Sequence, residues 1–107
     1  MAIYFLCPYF GTRVELTDER GEHIRRYHPE VLTAGRNLIR QTLNDPDLVR
    51  RDLRDPSTTR LFSRWYDRVR GGRHVIVSVV SEPSRHWVAT AFTAQEVEER
   101  DVEWTRS

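Results

Sequence analysis

Lysine is absent from this chain, cysteine occurs once, and no apolar run approaches the ~18 residues needed to cross a bilayer. Each absence excludes something. A single cysteine, Cys7, leaves no internal disulfide and no cysteine-based zinc site. The compartment expected from that usage is reducing and cytoplasmic. The most apolar stretch near the start, Ile3 to Phe10, is short and broken by Pro8, so it does not read as a signal-peptide core, and no membrane partner is expected. Without lysine, all 17 basic residues are arginine. Genomic base composition is the bland reading of this bias. The consequence is physical all the same: every cation is a planar fork that binds phosphate through two N–H groups or stacks on a base.

What is present suits one domain. The 107 residues are 38% apolar and 31% charged, enough for a single core with a large polar surface. The net charge of +1 hides a segregation. Arg50 to Arg73 holds eight arginines against Asp52, Asp55 and Asp67, whereas Gln95 to Ser107 holds five acidic residues against Arg100 and Arg106. The first segment suits an anionic ligand and the second a cationic partner, although a solvated surface with chance clustering explains both equally well. The expected organisation is one domain over residues 1–93 followed by an acidic tail over 94–107.

Local patterns give the elements. Ile3 to Cys7 and Thr12 to Leu16 are β-prone runs split by Pro8 and Gly11, as in a hairpin. Thr17 or Asp18 caps a helix running to Tyr27, with Ile24 and Tyr27 as its thin apolar stripe. A second helix starts at His28-Pro29-Glu30, carries Val31, Leu38, Ile39, Thr42 and Leu43 at helical spacing, and stops at Asn44-Asp45-Pro46. The period then changes. Leu48 to Asp52 is a short strand, and Thr59 to Tyr66 alternates Leu61, Ser63 and Trp65 against Arg60, Phe62, Arg64 and Tyr66. Gly71-Gly72 turns the chain into the β-branched run His74 to Val80, which reads as a central strand buried on both faces. His86 to Phe92 returns after Glu82-Pro83-Ser84. Helices followed by a meander predict an α+β domain of two layers.

The segment His23-Ile24-Arg25-Arg26-Tyr27-His28-Pro29-Glu30 concentrates the chemistry. Imidazole moves protons near neutral pH and guanidinium grips phosphate, a combination suited to phosphodiester cleavage without a metal. His23 shares the side of Tyr27, at the edge of the buried stripe. On an ideal helix His28 would stand ~140° from His23, and the two converge only if the chain bends before Pro29. Capping of the second helix explains His28-Pro29-Glu30 by itself, so His28 is given a structural role.

The order and spacing of several short motifs resemble the barnase–EndoU–colicin–RelE superfamily of small nucleases, in particular its phage-type branch. They are Leu16-Thr17, His23-Ile24, His28-Pro29-Glu30, Asn44-Asp45-Pro46-Asp47, the strand Arg60 to Tyr66, Val75 to Val80, and Val88-Ala89-Thr90-Ala91-Phe92. The resemblance covers residues 16–93. It implies two N-terminal helices packed on a four-stranded antiparallel sheet, to which the N-terminal hairpin would be an addition. It also implies metal-independent RNA cleavage by attack of the ribose 2′-hydroxyl on the adjacent phosphate. The implied roles fall on His23 as general base, Arg60 or Arg64 as phosphate contact, and Thr90 as the alcohol of the last strand.

Arg26, Tyr66 and Arg68 complete the set as substrate-binding groups. Arg60, Arg64 and Tyr66 share one strand face, which suits a phosphate backbone followed by a stacked base, and suits an ordinary exposed sheet face as well. His23, His28, His74 and His86 form neither an HExxH pattern nor a set with cysteine, so no metal and no cofactor is expected. The function read from these residues is a ribonuclease of toxin or effector type acting on RNA. Its rivals are a non-catalytic RNA- or protein-binding module on the same fold, and one half of a toxin–antitoxin pair whose cognate antitoxin or immunity protein covers the basic face.

Overall fold

Seven strands form one mixed sheet, and two short helices pack on it. The structure, a computed structural model, describes residues 1–106. In chain order the elements are β1 (Ile3–Cys7), β2 (Thr12–Leu16), α1 (Asp18–Tyr27), a 3-10 turn (Pro29–Leu32), α2 (Asn37–Asn44), β3 (Leu48–Arg51), β4 (Thr59–Tyr66), β5 (Arg73–Glu82), β6 (Arg85–Ala94) and β7 (Val102–Thr105). Their order across the sheet is β1-β2-β6-β5-β4-β3-β7. This corrects the expected four-stranded antiparallel sheet: strand makes up 43% of the chain and helix 21%. The four-stranded meander β3 to β6 is present as its centre. The N-terminal hairpin joins that centre through one parallel pairing, Glu15 with Trp87, and the acidic segment adds β7 to the opposite edge.

β5 sits in the middle of the sheet because its β-branched run can be covered on both sides. Val75, Val77 and Val79 are completely buried beneath the helices, each contributing about 1.5–3 kcal/mol of apolar burial. Phe62 of β4 pairs with Val77 on the same face and is also fully buried. Ile24 of α1, Val31 of the 3-10 turn, and Leu38, Ile39 and Leu43 of α2 close the core from above, while Phe5, Cys7 and Val14 extend it under the hairpin.

The second helix differs from expectation. Its first turn is a separate 3-10 turn, and α2 begins only at Asn37. Between them Thr33 to Arg36 forms turns, with Gly35 at a positive φ of 64°. A glycine there accepts the left-handed conformation without strain, and no apolar side chain between Leu32 and Leu38 holds the segment to the core. Tyr27 also departs from the expected stripe. It is 61% exposed, whereas Ile24 is buried. No helix among the described residues is long and apolar enough to cross a membrane.

Candidate functional site

α1 begins where its sequence says it should. Thr17 is extended, its side chain accepts from the Arg20 amide, and Asp18 and Glu19 lie in the first turn, where the helix dipole favours carboxylates. The helix ends at His28, whose backbone leaves helical geometry with φ −139° and ψ 56°. Proline at 29 causes this, because the residue before proline avoids helical angles. The break turns the His28 ring back toward His23, and the ring centroids lie 6.4 Å apart. His28 does stand at the N-cap of the 3-10 turn, as expected, but its side chain makes no capping hydrogen bond, and the bend brings its ring to the same side as that of His23.

Other groups gather around the pair. The Tyr27 ring is 5.0 Å from His23, and the Phe92 ring of β6 is 5.9 Å from His28. His28 Nδ1 lies 4.0 Å from Glu30 Oε2, and the same carboxylate oxygen accepts from the Thr93 hydroxyl at 3.2 Å. Arg20 lies one turn before His23. Its Nε is buried and has no hydrogen-bond partner. Local desolvation, then the positive charges of Arg20 and His28, pull the His23 pKa below the ordinary histidine value. That keeps His23 neutral near pH 7 and able to accept a proton.

The remaining residues singled out from the sequence are spread over the sheet. Arg64 pairs with Val75, which pairs with Thr93, so Arg64 and Thr93 occupy one row two strands apart, about 10 Å. The Arg64 side chain turns instead to Asp45, donating to its backbone oxygen at 2.6 Å and its carboxylate at 3.2 Å. Tyr66 is committed as well, since its hydroxyl donates to the Leu38 carbonyl and shares a hydrogen bond with Thr42. Burial raises its pKa. Thr90 lies two residues before Phe92, about 7 Å along β6, and its hydroxyl is buried with no hydrogen-bond partner. Arg26 and Arg68 are exposed.

Arg60 stands elsewhere. It pairs with Arg51 of β3 and Val79 of β5, near the end of the sheet where β6 begins. Its guanidinium holds the Glu103 carboxylate. His86, at the start of β6, stacks on Phe10 with centroids 4.0 Å apart and shares a 2.6 Å hydrogen bond with the Ser81 hydroxyl. Phe92 lies six positions after His86, about 20 Å along β6, so the strand has a cluster containing histidine near each end. His23 therefore meets neither Arg60 nor Arg64.

Glu30 already belongs to the segment singled out from the sequence, whereas Arg20 and Thr93 at the first cluster, and Tyr9, Arg51, His86 and Glu103 at the second, received no site role from it. Only Arg20 carries a local signal, its position three residues before His23 on one helix face. Among the described residues no three His, Cys, Asp or Glu side chains are placed to hold a metal ion together. Comparison with known proteins finds no matching family model, no matching curated protein and no matching solved structure.

Proposed function

We propose that this chain is a metal-independent endoribonuclease of toxin or effector type, with its reacting groups at the junction of α1 and β6. The observation that carries the reading is the approach of His23 and His28 to 6.4 Å beside Arg20, whose Nε is left without a partner. That spacing admits a phosphodiester between a proton acceptor and a proton donor. His23, kept neutral, takes the proton of the ribose 2′-hydroxyl. The 2′-oxygen attacks phosphorus, and the bond to the 5′-oxygen breaks. His28, whose Nδ1 lies 4.0 Å from Glu30 Oε2, delivers a proton to that leaving oxygen. The products are a 2′,3′-cyclic phosphate and a 5′-hydroxyl. The Arg20 guanidinium meets the charge that develops on the phosphorane.

The family resemblance supports the reaction class and the role of His23. The geometry supports adding His28 and Arg20, in place of Arg60. The test is cleavage of labelled single-stranded RNA in the presence of a chelator, followed by separation of cyclic-phosphate ends. Parental protein is expected to cleave, and His23→Ala and His28→Ala each to lose the activity. Parental rates in both variants would remove the proposal.

A second reading is favoured by one observation. Tyr4 and Trp65 are exposed on the side of the sheet away from the helices, and Arg13 and Arg85 lie over the rings of Tyr4 and Trp87 at 4.2 and 4.5 Å. Such a surface suits a module that binds single-stranded RNA by stacking. RNA binding that persists without cleavage, and that Trp87→Ala weakens, would select it.

A further inference from the structure

β3 and β4 place Arg51 directly opposite Arg60. Like charges facing each other across a sheet are destabilising unless an anion lies between them. Here that anion is Glu103. Arg60 Nε and Nη2 donate to its two carboxylate oxygens at 3.0 and 3.2 Å, Arg51 Nε is 2.6 Å from Oε2, and the Tyr9 hydroxyl donates to Oε1 at 2.6 Å. Arg60 and Glu103 are mostly buried, with side chains 17% and 14% exposed. Burial, then the bond to Glu103, pushes the Tyr9 pKa up to about 12, so this phenol stays a donor throughout the neutral range.

Two features distinguish this contact from an ordinary ion pair. The first is charge: one carboxylate faces two guanidiniums, and one positive charge is left over. The second is delivery. Glu103 comes from β7, four residues at the sheet edge that pair with β3 alone. The register shifts at that point, Val49 pairing with Trp104 and Arg50 with Val102, so Glu103 is the extra residue of a bulge. A bulge re-aims a side chain and weakens the local ladder. The preceding Gln95 to Arg100 form no regular element.

We propose that Arg51, Arg60 and Tyr9 form a binding site for a phosphate group, free or carried as a terminal monoester, which Glu103 occupies in its place while β7 is docked. A phosphate monoester carries about −1.5 to −2 at neutral pH and so matches two guanidiniums where a carboxylate does not. Three donors converge on one point, and the planar arginine forks suit phosphate oxygens as they suit a carboxylate. The site does not depend on RNA cleavage. It lies at the other end of β6 from His28, and its ligand is either inorganic phosphate or the terminal phosphate of a nucleic acid.

The test uses the full chain carrying His23→Ala, so that RNA stays intact whether or not the parental protein cleaves it. Glu103→Gln keeps the size and polarity of the side chain and removes its charge. Calorimetry at low salt is expected to show at least tenfold tighter binding of inorganic phosphate to this variant than to its parent. Adding Arg60→Ala is expected to abolish the gain. A matched RNA oligonucleotide with and without a 5′-phosphate separates the two sources. Preference for the phosphorylated end over inorganic phosphate identifies a nucleic-acid terminus, and equal binding of the two oligonucleotides identifies the free ion. No gain in phosphate affinity from Glu103→Gln overturns the proposal. Should that variant lose its native circular dichroism, hydrogen exchange on the chain with Glu103 intact decides. Saturating phosphate is expected to speed exchange of the β7 amides at least severalfold, and unchanged exchange overturns the site equally.

Discussion

The two ends of β6 hold the same chemical groups in different states of completion. Near Phe92, His23 and His28 stand beside an arginine whose Nε has no partner. Near His86, both guanidiniums close on Glu103, Tyr9 adds a donor, and the imidazole is bonded to Ser81 and stacked on Phe10. A satisfied cluster holds parts of a fold together, because removing one member leaves a charge unpaired. An unsatisfied one stores interactions that a ligand can complete. Composition cannot tell these cases apart, since both ends contain histidine, arginine, glutamate and tyrosine.

The largest expected effect is on catalysis. His23→Ala should lower the rate of RNA cleavage by about 10²- to 10⁴-fold, the usual worth of a positioned acid or base, whereas His86→Ala should change it by about twofold or less. Single-turnover cleavage of a labelled oligonucleotide measures both, and equal losses would erase the distinction between the two ends. Arg20→Ala should cost about 10²-fold, mainly in kcat, if its guanidinium meets charge that develops only in the transition state.

Stability should show the reverse order. Glu103→Ala leaves Arg51 and Arg60 opposed without an anion and should cost about 2 kcal/mol in urea unfolding. Glu30→Ala, which removes one hydroxyl contact and one histidine neighbour, should cost about half as much. A larger loss at Glu30 would mean that the His23–His28 end also fastens the fold.

The smallest effects are in pH. Hydrogen bonds from Arg60, opposed by burial and aided by Tyr9, hold the Glu103 carboxyl below its ordinary value of 4.5. Its contribution to stability is therefore complete above about pH 4.5 and is lost as pH falls through the lower folded value. The melting temperature of the parental chain should drop across that window more steeply than that of Glu103→Gln. At the other end, the depressed His23 pKa should place the acidic limb of the pH–rate profile below the ordinary histidine midpoint of 6.5. A limb above 6.5 would exclude His23 as the base.

Much of the local structure was legible. Thr17, one of the two caps suggested, does cap α1, and Arg60, Phe62, Arg64 and Tyr66 do share one face of β4, but that face turns toward the core instead of lying open. Pro29 bends the chain at His28, and that bend decided the candidate site. The helix expected to continue from Pro29 failed because nothing apolar anchors Thr33 to Arg36. The seven-stranded sheet was hidden for another reason. β2 joins β6 through a single pairing seventy-two positions apart, and β7 is four mostly exposed residues inside an acidic segment. β2 itself was legible as a strand, but its single pairing with β6 leaves no local mark, and β7 has no periodic signature strong enough to stand out.

The amino-acid sequence determined which residues cap, break and bury, because those choices depend on neighbours within a turn or a few strand positions. It placed His28 directly before a proline, with His23 five residues earlier, and left arginine as the only long basic side chain. Only the tertiary structure decided which charges meet. Arg60 faces Arg51 and takes Glu103 from an edge strand, Arg64 takes Asp45, and Arg20 keeps an unpartnered Nε. A side chain's partner depends on strand order and register, which are set by pairings between distant segments and leave no mark on the residues beside it in the chain.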